Sequence, residues 1–195
     1  MNPILQKSES MQREAHQIIE DLKIYEIWSS AGAAVNLVGS LKMGLLINHR
    51  DIDFHVYTNP FILEDSFSAA GQMAGNGRVQ SINYINRLEK PDQCIEWHLS
   101  YEDSSGNPWQ IDIIHILTDS PYAGYFEKVA DRIRQILTPE QKETILKIKH
   151  AIAPEEKVMG IYIYKAVIES GIHDPESFRQ WYKKTPEQEI LTWMP

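Results

Sequence analysis

Asp51 and Asp53 stand two residues apart in the run Arg50-Asp51-Ile52-Asp53-Phe54-His55-Val56. Residues two apart in a β-strand face the same way. An extended reading therefore puts both carboxylates on one face and Ile52, Phe54 and Val56 on the other, where a core would lie. Two carboxylates this close repel each other as anions unless a cation sits between them. Such oxygen ligands suit Mg²⁺, which takes one or two carboxylates together with substrate phosphates. Twelve residues before Asp51 comes Gly39-Ser40. Gly39 lets the backbone approach a ligand closely. Ser40 is expected to cap a short helix starting near Leu41, and helix N-terminal N–H groups bind phosphate. Lys42 offers a further phosphate contact as a point charge. A phosphate cradle ahead of a metal-binding carboxylate pair is the layout a nucleoside triphosphate with Mg²⁺ needs. The bland alternative is an exposed strand start, since Asp-x-Asp is common in surface turns.

A third acidic residue lies in the most β-like run of the chain, Trp109-Gln110-Ile111-Asp112-Ile113-Ile114-His115-Ile116-Leu117. Burying a charge in such a strand costs several kcal/mol unless it is paired. Asp112 is thus either a third carboxylate of the same site or a structural Asp paired to an Arg on a neighbouring strand.

The elements that must position these groups follow from periodicity. Residues 8–30 read as one helix, with Ile18, Ile19, Leu22, Ile24, Tyr25 and Trp28 as its apolar stripe. Ala34–Val38 is a short buried strand and Asp51–Tyr57 the next one. Asn59-Pro60 signals a turn into a helix over about Phe61–Met73, ended by Gly71, Gly75, Asn76 and Gly77. Residues 78–101 read as a hairpin turning at Glu89–Asp92. After Pro121 the composition changes, and 122–136, 139–152, 155–170 and 175–193 read as helices, with Thr138-Pro139-Glu140-Gln141 as a capped start. The division expected is an α/β half, 1–118, and a C-terminal helical region, 119–195, packed on it.

The order of strand, Gly39-Ser40, short helix, Asp51-x-Asp53 on the next strand and a later Asp112 resembles the DNA polymerase β-like nucleotidyltransferase superfamily over residues 30–118. The resemblance implies an α/β (α+β) fold with a mixed sheet and helices on one face, followed by the helical region. It implies transfer of a nucleoside monophosphate from an NTP such as ATP to an acceptor hydroxyl, with release of pyrophosphate. Asp51 and Asp53 would hold two Mg²⁺ ions, Asp112 would join them on the acceptor side, and Gly39, Ser40 and Lys42 would grip the triphosphate. The chain departs from the common pattern at Met43, where many members carry Arg, and at Arg50, where a small hydroxyl residue is frequent. Arg50 either replaces that arginine or pairs with Asp112.

Bulk properties narrow the partners. With 43% apolar and 24% charged residues, the chain has the composition of an ordinary soluble globular protein. A net charge of −8 argues against broad nucleic-acid binding, which needs a basic footprint, and favours a neutral or cationic small-molecule acceptor. The lone cysteine, Cys94, excludes an internal disulfide and reads as a buried inert thiol. The N-terminus is polar and no apolar run approaches about 18 residues, so no membrane association and a cytoplasmic location are expected. Of the histidines, His55 shares the carboxylate face. His49, His98 and His115 are expected to be structural, as are Tyr162, Tyr164, Trp181, Tyr182 and Trp193 at helical spacing, and Lys165 is expected to be solvated. Two alternatives stay open: a fold kept for ligand or partner binding without catalysis, and a transferase with a protein hydroxyl as acceptor.

Overall fold

The computed structural model describes residues 2–153, 156–186, 188 and 191–195. The elements run α1 Pro3–Asp21, α2 Ile24–Ser30, β1 Ala34–Leu37, α3 Gly39–Lys42, β2 Asp51–Tyr57, α4 Leu63–Ala74, β3 Val79–Arg87, β4 Cys94–Glu102, β5 Pro108–Ile116, α5 Tyr125–Ile136, α6 Pro139–Ala151, α7 Gly160–Ile168 and α8 Pro175–Tyr182. The five strands form one sheet in the order β1-β2-β5-β4-β3. β2 and β5 run parallel and every other pair is antiparallel.

The first helical segment is two helices rather than one, because Lys23 takes a left-handed conformation with φ 52°. The reason lies in its neighbours. Leu22 and Ile24 are both buried, and on a continuous helix they would point roughly 200° apart. Turning the chain at Lys23 brings both into the core. The helix after the cis Asn59–Pro60 bond starts at Leu63 instead of Phe61, with Gly71 inside it and Gly75 at its C-cap. The segment expected from 122 begins at Tyr125, where Gly124 with φ 70° admits the turn. The Thr138–Gln141 capping box forms as expected. The last two helices are shorter than the periodicity suggests, Gly160–Ile168 and Pro175–Tyr182. Residues 155, 187, 189 and 190 of those expected spans lie outside the described residues.

Strand alternation decides what each sheet face does. Ile52, Phe54, Val56, Trp97, Leu99, Tyr101, Trp109, Ile111 and Ile113 form one buried face, covered by α1, α2 and α4 through Ile18, Trp28, Ala69 and Met73. Each large side chain fully buried here contributes about 1.5–3 kcal/mol. His115 lies on this face too. Trp97 Nε1 can only donate, so the Ser66 hydroxyl accepts from it at 2.9 Å. Ser66 Oγ also lies 3.0 Å from His115 Nδ1, and Thr58 Oγ1 lies 2.9 Å from its Nε2, so both ring nitrogens are hydrogen-bonded. Burial pushes this imidazole down to about 4. It is a neutral tie between α4 and the sheet, as its structural reading anticipates.

A second core gathers Met43, Leu45 and Ile47 from the loop after α3 with Val129, Ile133, Ile145, Ile148, Ile163 and Phe178 from α5 to α8. Ile4 and Leu5 of α1 pack against it. Asn48, with φ 64°, fastens the same loop by donating to the Lys149 carbonyl at 3.2 Å and accepting from Lys7 at 2.8 Å. Residues before 118 thus fill one side of a core supplied mostly by residues after 119. A chain truncated after Leu117 is expected to expose Leu45 and Ile47 and to be insoluble or lack a cooperative melt. Ile47→Ala in the full chain should cost about 2–5 kcal/mol in urea unfolding, and a well-folded 1–117 chain would contradict both expectations.

Candidate active site

The three acidic residues meet through strand register. Asp53 lies opposite Asp112 in the parallel β2–β5 ladder, and Asp51 lies opposite Gln110. All three project from the face opposite the first core. Asp53 has protein on every side but its opening to the cavity, and its carboxyl is pushed up to about 7, first by burial, then by the charges of Asp51 and Asp112, with Lys149 pulling it back. Asp51 Oδ1 is buried without a hydrogen-bond partner among the described residues.

Gly39 is fixed by its contact with Asp53. The Val38 N–H donates to the Asp53 carbonyl at 2.9 Å, which lays the next residue directly over the Asp53 side chain. Gly39 has φ +65°, and a Cβ placed on it would overlap the Asp53 carboxyl. Ser40 does not cap a helix. The N-cap position of the single turn Gly39–Lys42 is Val38, without a side-chain cap, which puts Ser40 inside the turn. Its hydroxyl is buried and unpartnered among the described residues. Lys42 pairs with Asp131 of α5 at 3.4 Å and does not line the cavity.

That cavity, of about 600 Å³, opens between Gly39, Ser40, Asp51 and Asp53 on one side and α5, α6, α7 and the segment before α7 on the other. The far wall is mostly aliphatic: Val129, Ile152, Val158, Ile161 and Ile163. Its size and composition are those of a small-molecule site. Lys149 reaches it from α6 and was not anticipated. Only 7% exposed, it donates to the Leu45 carbonyl at 2.9 Å. Burial pushes its ammonium down to about 8, and the Asp51 and Asp53 charges resist. The signal was present, because Lys149 falls on the helical stripe of Ile145, Leu146 and Ile148. Tyr164, anticipated as packing, is both a core and a cavity residue. Its ring lies 5.9 Å from the Lys149 ammonium, and burial beside Asp51 and Asp53 pushes its hydroxyl upward.

Asp112 does not line the cavity. Its Oδ1 faces His98 Nδ1 at 2.7 Å, and Gln110 Nε2 donates to both its oxygens at 2.9 Å. Arg50 is exposed and makes no ion pair among the described residues, so the alternative that pairs it with Asp112 is not met. His98 faces Glu96 on its other side at 3.0 Å. Burial disfavours its charged form, but the two carboxylates outweigh that and hold its pKa above the ordinary value. His55, on the carboxylate face, meets Glu127 at 3.2 Å, while His49 is exposed at the cavity rim.

Three half-buried carboxylates on one sheet face, one of them with an orphaned oxygen among the described residues, fit a divalent cation. They do not form a closed cage. Among the described residues, the group whose three candidate ligand atoms all lie within 4.8 Å of one another is Asp92, Cys94 and Glu96 instead. There Arg87 already supplies the cation, 2.6 Å from Asp92 and 3.3 Å from Glu96, and Cys94 is a buried thiol pushed up to about 12, first by burial and then by Asp92.

No protein-family model matches the chain, and no curated protein matches it in sequence. Solved structures do match. A Cid1 poly(U) polymerase with MgGTP bound aligns with a TM-score of 0.53 at 18% identity, over 72% of this chain and 42% of that one. A second Cid1 structure, described as an RNA terminal uridylyl transferase, gives 0.56 at 15%, over 83% and 48%. The non-canonical poly(A) polymerase complex GLD-2–GLD-3 gives 0.56 at 9%, over 98% and 67%. The chain spans about two fifths to a half of the Cid1 chains. These likenesses show the fold: a five-stranded mixed sheet with helices, the nucleotidyltransferase fold.

Two outcomes follow from the packing of Asp53. Gly39→Ala combines a left-handed backbone, worth about 1–2 kcal/mol, with a clash on that carboxyl, so it should lower the melting temperature and displace Asp53. Without metal, Asp53 holds its proton to about pH 7 in the folded chain but only to about 4 when unfolded. The folded state therefore binds more protons between those values, and this group subtracts stability as pH rises through the window. In EDTA, Asp53→Asn should gain on the wild type by a few kcal/mol from about pH 4 to about pH 7, and melts at both values check it. A difference that does not change with pH would remove the buried-carboxyl account.

Proposed function

We propose that the chain is a nucleotidyltransferase that moves a nucleoside monophosphate from an NTP to a hydroxyl of a small-molecule acceptor and releases pyrophosphate. The observation that carries this is the register placing Asp53 beside Asp112, with Asp51 on the same face and Gly39 packed on Asp53 at the cavity mouth. In this reading Asp51, Asp53 and Asp112 hold divalent cations, two Mg²⁺ ions. When bound, these supply charge stabilisation for the attacking and leaving oxygens of an in-line displacement.

The chain's own groups do the rest. Gly39 leaves the backbone bare where a phosphate would approach. The Ser40 hydroxyl, buried and unpartnered among the described residues, is a donor at the cavity wall beside it. Lys149 provides a desolvated positive charge against the developing charge of the triphosphate, a role that sequence reasoning assigns to Lys42. For Lys42 to add a phosphate contact it would have to leave Asp131. Asp112 is the oxygen acceptor available for the proton of the attacking hydroxyl. The aliphatic wall excludes water and suits an acceptor with apolar surface.

A second reading takes an RNA end as the acceptor, as the names of the similar structures describe for those proteins. It is weakened by the net charge of −8, because single-stranded nucleic acid is held by a basic groove with stacking aromatics.

Melting curves with each NTP and Mg²⁺ test the proposal. An NTP at 100 times its dissociation constant should stabilise the wild type by about 2.7 kcal/mol, and Asp53→Asn should lose this shift while remaining folded. Pyrophosphate release with a panel of hydroxyl compounds and one oligoribonucleotide then separates the acceptors. No shift with any NTP at high Mg²⁺ would leave a binding protein without catalysis.

A further inference from the structure

The row Asp53–Asp112 continues across the sheet. His98 lies directly opposite Asp112 in the antiparallel β4–β5 ladder, so the backbone delivers its ring to the carboxylate. From there a line of groups runs away from the cavity. His98 Nδ1 lies 2.7 Å from Asp112 Oδ1 and Nε2 lies 3.0 Å from Glu96 Oε2. Glu96 Oε1 is held by Arg87 Nε at 3.3 Å, and Arg87 Nε also meets Asp92 Oδ2 at 2.6 Å. All of these side chains are less than a third exposed: 20% for Asp112, 26% for His98, 18% for Glu96 and 29% for Arg87.

Asp112 needs such a brace. Its strand neighbour Asp53 carries a like charge, and repulsion would turn a short side chain toward solvent. Gln110 also touches both Asp112 oxygens, but its side chain is exposed and makes no other hydrogen bond among the described residues. His98 is fixed at both ring nitrogens, and Glu96 is fixed in turn by Arg87. With Oδ1 taken by His98, Oδ2 is the oxygen left for reacting groups once the Gln110 amide swings off.

We propose that His98, held from behind by Glu96, is the positioning residue that sets the rotation of the Asp112 carboxylate and commits Asp112 Oδ2 to the site. This rests on the nucleotidyl-transfer reading for its purpose and its kinetic readout, but not for its Mn²⁺ readout. Hydrogen bonds to carboxylates that ligate metals typically change metal affinity or activity by 10–100-fold when removed.

The test compares His98→Leu, His98→Asn and Glu96→Gln in the full chain. Asn keeps an N–H donor near the Nδ1 position and Leu does not. Mn²⁺ affinity is read by calorimetry without turnover, kcat and KM are read with the best NTP and acceptor, and melts check folding. His98→Leu should lower kcat about 10–100-fold with the KM for NTP changed by less than about threefold, and should weaken Mn²⁺ binding. His98→Asn should restore most of both, and Glu96→Gln should fall between. Equal losses in the Leu and Asn variants, or Mn²⁺ affinity unchanged in both, would overturn the proposal. If Leu unfolds, Asn and Glu96→Gln carry the comparison alone: Asn close to wild type with Glu96→Gln impaired supports the brace, and the reverse order overturns it. A wild type that binds Mn²⁺ but turns over no NTP defeats the nucleotidyl-transfer reading and leaves the Mn²⁺ comparison standing. A wild type that binds no Mn²⁺ overturns the brace.

Discussion

The repulsion among Asp51, Asp53 and Asp112 is the constraint around which the site is arranged. Two parallel strands bring like charges to adjacent register positions, and the glycine lying on Asp53 denies that carboxyl an escape. Relief comes from three directions: a raised proton affinity at Asp53, the buried Lys149 ammonium across the cavity, and the His98 brace on Asp112. Each lies on a different element, so the helical half and the hairpin are both recruited to keep a destabilised group of charges in place. Such locally unfavourable arrangements are expected where binding or chemistry is the reason for them.

The way each charge is handled follows burial. Asp53 is enclosed and holds a proton near neutrality. Asp112 takes its partners from its own strand and the next one, Gln110 and His98. Lys149 sits where desolvation outweighs the attraction to the acids. A site built from partly compensated groups like these changes its total charge readily when a ligand arrives, because small changes in solvation shift which group carries the proton.

Much of this was legible in the residues. Asp51 and Asp53 announce themselves by strand alternation, Asp112 by being a charge inside an apolar run, and Gly39 by standing before a short helix. What escaped depends on distance along the chain. His98 can be matched to Asp112 only when the hairpin register is known, and a shift of one residue would have sent it to the opposite face. Lys149 lies on a helix with no local reason to face the carboxylates, although its place on an apolar stripe marked it as buried. Ser40 differs from expectation because the N-cap, Val38, lies two positions before it, and side-chain chemistry alone does not separate a cap from an interior residue of so short a turn. The break at Lys23 was hidden because Leu22 and Ile24 are both apolar, and only packing shows that they cannot face the same core along one helix.

The second core has a consequence for how the cavity changes shape. Its residues come from the start of α1, from the loop between α3 and β2, and from α5 through α8, so the chain passes through it, leaves to build the sheet, and returns. The walls on the two sides of the cavity are therefore anchored in a common block. A hinge that swung the helices away as one rigid lid would have to tear Leu45 and Ile47 out of their packing and break the ties from Asn48 to α6. Ligand entry is left to smaller parts at the rim, such as the Val158–Met159 stretch ahead of α7. In mechanical terms the molecule is a vice with a fixed jaw, adjusted at its lip.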